Sequence, residues 1–345
     1  MNVTTRLTHE KHHEKYQQLA EYLKENDNYL VTAHIRADGD AIAAICFVQE
    51  ALCLMGKKVH GFVSDPAADP KYSFLQGFDK IGSVNDGMPD FQPETAIILD
   101  SPTLERIGSG AELALNCTTR ICIDHHLDND DMSPYDIVDT SASSTCEMLA
   151  RLIPFLDVNI SKELAEILYT GIIFDTGNFR FSNTSARAFM TASALVDLGA
   201  NPEKLNNRIF YDWSMNRARA KAQVLQSLTL YRGKRIAITH LPVAFFDSHP
   251  GIERDMEGFS DIGVSIKGVR VAAFLKEKEP GVFKISLRAT EDFDVASAAG
   301  EFGGGGHRKA SGCRVEGEYN DVLEKVLDAI QKHNPRLNRR SREDR

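Results

Sequence analysis

Apolar positions recur along this chain with two different periods, and their alternation predicts the fold. Residues 8–26 have helical spacing, with Leu19, Tyr22 and Leu23 on one stripe, and Tyr29–Ala33 follows as a short strand. Strands and helical runs then alternate: a helix over Asp40–Met55, strands over Lys58–Val63 and Thr95–Leu99, a helical run over Glu105–Leu115, and strands over Arg120–Ile123 and Asp136–Val138. Apolar strands separated by helical runs must be covered on both sides, which predicts an α/β fold whose N-terminal part is a mostly parallel sheet with helices on both faces. Helical patterns dominate next, from Ser143 to about Gln226, including Ser161–Phe174, Thr184–Leu198, Pro202–Phe210 and Met215–Leu228. After Gly233 the texture becomes β-rich, with strands over Arg235–Leu241, Val269–Leu275 and Val282–Leu287 and helices near Val295–Glu301 and Asp321–His333. The expected organisation is a domain over 1–190, a helical connector over 191–228, a smaller C-terminal α/β domain over 229–335 and a charged, frayed tail over 336–345.

Composition narrows the function classes. The 345 residues allow two domains of about 150 residues each, with 42% hydrophobic and 26% charged residues. This is ordinary globular composition and excludes collagen-like or broadly disordered chains. Forty Lys and Arg against 49 Asp and Glu leave a net charge of −9, so a field suited to coating long nucleic acid is absent and any nucleic-acid contact should be local and short. The longest apolar run, Ala41–Val48, is far short of the roughly 20 residues that cross a bilayer, so no membrane partner is expected. Six cysteines form no C-x-x-C pair and mostly sit in apolar stretches, which reads as free thiols in a reducing cytoplasm, and the polar N-terminus lacks a secretory pattern.

In an open parallel sheet, ligands bind beyond the carboxyl ends of the strands. Three predicted strands run there into metal-ligand chemistry: His34-Ile35-Arg36-Ala37-Asp38-Gly39-Asp40, then Asp100, then Asp124-His125-His126. Singly, each has a plainer reading, since Asp38-Gly39-Asp40 suits a turn and helix cap, and Asp100-Ser101-Pro102 a strand-ending turn. Their coincidence on one edge argues for a site. Asp175 adds a carboxylate at the end of the apolar run Gly171–Phe174, where an uncompensated charge would be costly. His34, Asp38, Asp40, Asp100, His125 and Asp175 offer four carboxylates and two imidazoles without a thiolate, a set suited to manganese or magnesium, with cobalt or iron as alternatives. Six donors exceed what one octahedral ion with a reactive water accepts, so two ions sharing Asp100 are the economical arrangement. Two ions roughly 3.5–4 Å apart point to phosphoester hydrolysis.

The C-terminal part carries Gly303-Gly304-Gly305-Gly306-His307-Arg308-Lys309. Successive glycines let backbone N–H groups converge on an anion, and His307 and the upstream Arg288 suit charge-assisted contacts to phosphate. The plainer reading is a flexible linker. Tyr16, Phe179, Arg180, Phe181 and Trp213 read as core or as base-stacking positions.

Together, D-G-D-A at Asp38–Ala41, Asp100 after its strand, the Asp124-His125-His126 triplet, F-D-T-G at Phe174–Gly177 and G-G-G-G-H at Gly303–His307 resemble the DHH phosphoesterases over nearly the whole chain. The glycine-His element resembles the DHH-associated domain of the short two-domain branch, whose members act as oligoribonucleases (nano-RNases), as phosphatases on 3′-phosphoadenosine 5′-phosphate and in some cases on cyclic or linear dinucleotides. The resemblance implies that His34 and Asp38 hold one manganese, Asp40 and His125 the other, that Asp100 bridges them and that Asp175 completes the set. It also implies that His126 faces the scissile phosphate, that Asp124 orients an imidazole, and that Arg288, Gly304, Gly305, Gly306 and His307 bind the substrate. Expected partners are short RNA oligonucleotides and small nucleotides, and relatives often form homodimers. Ala37 and Ala43 depart from residues that relatives often carry, Pro and Gly, but remove no ligand. Members that degrade long strands add nucleic-acid-binding domains for which this chain has no room, and family II pyrophosphatases grip their substrate with a different, Lys/Arg-rich motif. A nucleotide-binding regulatory protein that keeps the fold without the chemistry is the alternative outside enzymes.

Overall fold

The strands of the first half pair into a single six-stranded sheet of order β3-β2-β1-β4-β5-β6, parallel throughout. The computed structural model describes residues 3–7, 12–87, 89–127, 129–256, 258–290 and 293–338. The strands are β1 (Tyr29–Ala33), β2 (Val59–Val63), β3 (Gly82–Ser83), β4 (Thr95–Leu99), β5 (Thr119–Asp124) and β6 (Ile137–Val138). Their helices are α1 (Val3–Leu7), α2 (His13–Glu25), α3 (Gly39–Leu54), α4 (Ala111–Leu115), α5 (Thr145–Leu152), α6 (Lys162–Asp175), α7 (Ala186–Asp197) and α8 (Pro202–Asn206). Residues 8–11, at the start of the predicted first helix, and 339–345, in the predicted tail, lie outside the described residues.

Alternation along the strands divides two cores. Tyr29, Val31 and Ala33 of β1 join the larger one with α2, α3, α5 and α6, while Leu30 joins the smaller one with Phe62, Ala96, Ile98, Ile107 and Ala114. Helix α3 is buried from Gly39 to Leu52, as its nearly continuous apolar sequence requires. The predicted helix over Glu105–Leu115 is instead a 3₁₀ segment, Leu104–Gly110, followed by the short α4. The break is at Gly108, whose φ of +70° lets Ile35 approach so closely that a Cβ would lie 2.3 Å from its Cγ2. The predicted helix from Pro202 likewise ends at Asn206 and continues as a π-helical turn, Asn207–Tyr211.

The chain divides into two units, Met1–Asp212 and Trp213–Arg345. The second contains α9 (Met215–Gln226), β7 (Thr229–Tyr231), β8 (Ile236–Leu241), α10 (Val243–Ser248), β9 (Val271–Glu279), β10 (Val282–Ala289), α11 (Ala296–Gly300), β11 (Gly305–His307), β12 (Ala310–Glu316) and α12 (Tyr319–His333). Its sheet has the order β11-β12-β10-β9-β8-β7 and is antiparallel except for the β8–β9 pair. Helices α11 and α12 pack their apolar faces on this sheet through Ala298, Val322, Val326 and Ile330. Among the described residues, no helix is long and apolar enough to cross a membrane.

Candidate functional site

Sheet order determines which residues meet. The chain leaves β1 to one side and returns as β4 on the other, the switch point where open α/β sheets bind ligands. Ala33 pairs with Leu99 and Leu99 with Ile123, so His34, Asp100 and Asp124 leave the sheet side by side. Asp100 then takes φ +52°, a left-handed conformation uncommon for a residue with a side chain and one that marks functional positions. Its amide remains tied to the Ile123 carbonyl at 3.1 Å.

Around the buried Asp100 carboxylate, His34 Nε2 lies 3.5 Å from Oδ2 and His125 Nε2 lies 3.3 Å from Oδ1. His34 donates Nδ1–H to the Ile35 carbonyl at 2.9 Å, which leaves Nε2 for the cluster. Asp38 caps α3, accepting from the Asp40 and Ala41 amides with Oδ1, while its Oδ2 stands 3.9 Å from His34 Nε2. Turn-and-cap chemistry and site chemistry thus coexist in this residue. His125 Nε2 is also 3.1 Å from Asp175 Oδ2, at the C-terminal end of α6. Asp40 is fully buried, and its Oδ2 and Oδ1 accept the Thr145 and Cys146 amides at 2.7 and 3.0 Å. His126 Nδ1–H donates to the buried Asp124 at 2.8 Å, and its ring is more exposed than that of His125.

Electrostatics in this cluster are unbalanced. Burial opposes charge on His125, but Asp100 and Asp175 beside it raise its pKa to about 12; the same competition, with Asp100 and Asp38 as partners, raises His34 to about 9. Burial also works against the Asp100 carboxylate, but the two imidazoles outweigh it and hold its pKa well below the carboxylate range. Asp40 and Asp175 shift upward, chiefly through burial and then through the neighbouring carboxylates. Crowded acids of this kind invite a cation. Three donor groups lie within reach of one: His34, Asp38 and Asp100; Asp40, His125 and Asp175; and Asp100, His125 and His126. His125 Nε2 is buried and makes no hydrogen bond among the described residues, which is the condition of a ligand atom facing a metal. Oxygen and imidazole donors without a thiolate can hold divalent metal.

Gly305 and Gly306 of the glycine run are built into the β11–β12 hairpin, which sets aside the plainer reading of a flexible linker. A Cβ on Gly304 would lie 2.2 Å from the Gly312 carbonyl, and one on Gly306, at φ +137°, 2.6 Å from that of Ala310, so close strand pairing demands both glycines. Gly305 faces open space. His307 and Arg288 both pair with Ala310, from opposite sides, which puts them in one row and on one face of the sheet. Arg288 Nε donates to Asp261 at 2.9 Å. Of the aromatic candidates, Tyr16 is core and Phe179 stacks on Phe189, whereas Phe181 and Trp213 are exposed.

The helical pattern read from Ser143 onward matches α5, but its first turn was given no part in the site. Ser144 caps it, Thr145 adds a hydroxyl donated to Asp100 Oδ1 at 3.2 Å, and Gly171 of α6 leaves room for Asp40, since a Cβ there would lie 2.4 Å from Oδ1. The S-x-x-E pattern Ser144–Glu147 was the available signal for a capped start with first-turn amides open to an acid.

Residues 28–172 match the DHH family, N-terminal domain, and residues 243–333 the DHHA1 domain. The bifunctional oligoribonuclease and PAP phosphatase NrnA of Thermus thermophilus is 32% identical over 92% of this chain and 94% of its own, and that of Bacillus subtilis 26% identical over 84% and 90%. Among solved structures, an exopolyphosphatase-related protein from Bacteroides fragilis superposes with TM-score 0.86 at 27% identity, covering 94% of this chain and 98% of the other. The exonuclease RecJ bound to manganese, at TM-score 0.52 and 13% identity over 93% and 94%, shares the fold.

Proposed function

Because this chain belongs to the DHH family of phosphoesterases, we propose that it hydrolyses short oligoribonucleotides and the 3′-phosphate of 3′-phosphoadenosine 5′-phosphate with two manganese ions. The observation that carries the reading is the convergence of three strand ends on Asp100, with an imidazole on each side of one carboxylate. The Thermus and Bacillus relatives, named for both activities, support the substrate class.

His34 and Asp38 would hold one ion, Asp40, His125 and Asp175 the other, and Asp100 would serve both. Bound divalent ions would supply Lewis acidity to the phosphoryl group and acidify water at neutral pH. The chain's own groups do the rest. Asp124 fixes the His126 ring through Nδ1, so that Nε2 is the free nitrogen for hydrogen bonding to phosphate. Thr145 restrains one oxygen of Asp100, and the α5 amides restrain both oxygens of Asp40. His307 and Arg288 flank Ala310 as anion contacts, with the Gly305 and Gly306 amides beside them. Six free thiols support assignment to the cytoplasm.

The test is release of nucleotide and phosphate from 3′-phosphoadenosine 5′-phosphate, an RNA dinucleotide, a long RNA, a cyclic dinucleotide and pyrophosphate, with manganese supplied. Cleavage of the first two and sparing of the long RNA is expected. Preference for the cyclic dinucleotide would replace the substrate assignment, and nucleotide binding without hydrolysis of any member would make the chain a regulatory protein.

A further inference from the structure

Beneath the turn that holds Asp40 lies a buried cluster of two acids and two arginines that the proposed chemistry does not use. Glu147 Oε2 accepts the amide and the hydroxyl of Ser143 at 2.7 and 2.6 Å. Its Oε1 pairs with Arg151 and, at 2.7 Å, with Arg187 Nε, and both arginines also reach Asp139, at 3.0 and 3.4 Å. Asp139 in turn accepts the Ser141 amide at 3.1 Å. Asp139, Glu147 and Arg151 are at most 2% exposed. Asn183 closes the ring, donating Nδ2–H to the carbonyls of Ser143 and Asp175 at 3.0 and 3.1 Å.

A stable core does not require this arrangement. Burying ions costs solvation that their mutual attraction barely returns, and apolar side chains of the same volume commonly do as well. What the cluster does achieve is geometric. It grips residues 139–147 at Asp139, Ser141, Ser143 and Glu147, and two amides between the last two of these, Thr145 and Cys146, are the ones that hold Asp40.

We propose that Glu147 and Arg187 are positioning residues, which act through the Ser143–Cys146 turn to set the carboxylates of Asp40 and Asp100 for divalent metal. The inference rests on the proposed metal site and extends it to a side chain, Arg187 of α7, that touches none of its donors. Removing the fork of Arg187 loosens Glu147 and, through Ser143, the amides at Asp40. Outer partners of metal ligands of this kind change affinity by about 10- to 100-fold.

The experiment is titration of the metal-stripped full chain with Mn²⁺, followed by calorimetry and by the Mn²⁺ paramagnetic resonance signal, with circular dichroism in EDTA to measure the folded fraction. Arg187→Met is expected to weaken uptake per folded molecule by about tenfold or more and Arg187→Lys to recover most of it. A merely structural role would lower the folded fraction while leaving affinity per folded molecule unchanged, and that result overturns the inference. Should Arg187→Met not fold, Thr145→Val carries the test, because it removes only the hydroxyl on Asp100. Weaker Mn²⁺ uptake supports the positioning turn, and wild-type uptake overturns it. A wild-type chain that takes up no Mn²⁺ would defeat the functional reading as well, whereas wild-type uptake matched by the variants defeats this inference alone.

Discussion

The backbone N–H of Thr145 donates to Oδ2 of Asp40 at 2.7 Å, tying together the first turns of two helices that lie 105 residues apart in sequence. Both Asp40 oxygens are held by the main chain, so the carboxylate has one orientation in which to serve a cation. The predictions below test what depends on that orientation and on its neighbours.

Gly171→Ala should be harmful although it improves helix propensity. In a helix interior the change favours folding by about 1 kcal/mol. Against this, the new Cβ would lie 2.3 Å from Cys146 Sγ and 2.4 Å from Asp40 Oδ1, and overpacking of a filled core costs about 1–3 kcal/mol. The steric term wins. The expected result is a lower thermal midpoint in EDTA together with weaker Mn²⁺ uptake; a midpoint above wild type with unchanged uptake would show that α5 and α6 can move apart freely.

Asp100→Asn keeps the size and the tolerance of φ +52° but removes the charge shared by His34 and His125. The folded variant should lose more than about a hundredfold in turnover, since a shared ligand matters more than the outer partners that already cost up to that factor. Steady-state hydrolysis of an RNA dinucleotide at saturating Mn²⁺ measures it.

His307→Ala and Arg288→Ala should raise KM with kcat largely preserved, because both belong to the second unit and neither is among the metal-donor residues. Loss of a hydrogen bond to a charged group, about 1.5–3 kcal/mol, corresponds to at least roughly tenfold in KM. An equal fall in kcat for His307→Ala, with KM unchanged, would place that imidazole in the chemical step instead.

Stability of the metal-free chain should carry an acid limb from Glu147. Burial raises its pKa, but Arg151, the Ser143 donors and Arg187 outweigh burial and leave it below the usual glutamate value. The folded state therefore binds this proton less readily than the unfolded chain does. The contribution is present above the ordinary glutamate range and is lost as pH falls through the lower folded value. Glu147→Gln should be less stable at pH 7 and show a flatter decline below pH 5, measured by urea unfolding in EDTA; an unchanged acid limb would contradict the pairing.

The parts of this structure that were legible in sequence share a cause. A parallel sheet delivers whatever follows its strands to one edge, so Asp100 and Asp124-His125-His126 could be placed together from strand ends alone, and they lie together with His34, Asp38, Asp40 and Asp175. What escaped acts chiefly through main chain and through space left free. The Thr145 and Cys146 amides hold Asp40 through backbone that any sequence supplies, and Gly171 matters for an atom it lacks. Gly304 and Gly306 carry a second requirement that the sequence did not announce, since a residue type suited to cradling an anion also permits a tight strand pair. At Gly108 a single left-handed residue split a pattern whose spacing was otherwise helical.

The most direct test of the central claim is hydrolysis of a 5′-phosphorylated RNA dinucleotide and of 3′-phosphoadenosine 5′-phosphate by the purified chain, followed through removal and return of metal. Turnover of both with Mn²⁺, its loss in EDTA and its recovery when Mn²⁺ is restored is the predicted result. Undiminished hydrolysis in EDTA, or none of either substrate with Mn²⁺ bound, would contradict it.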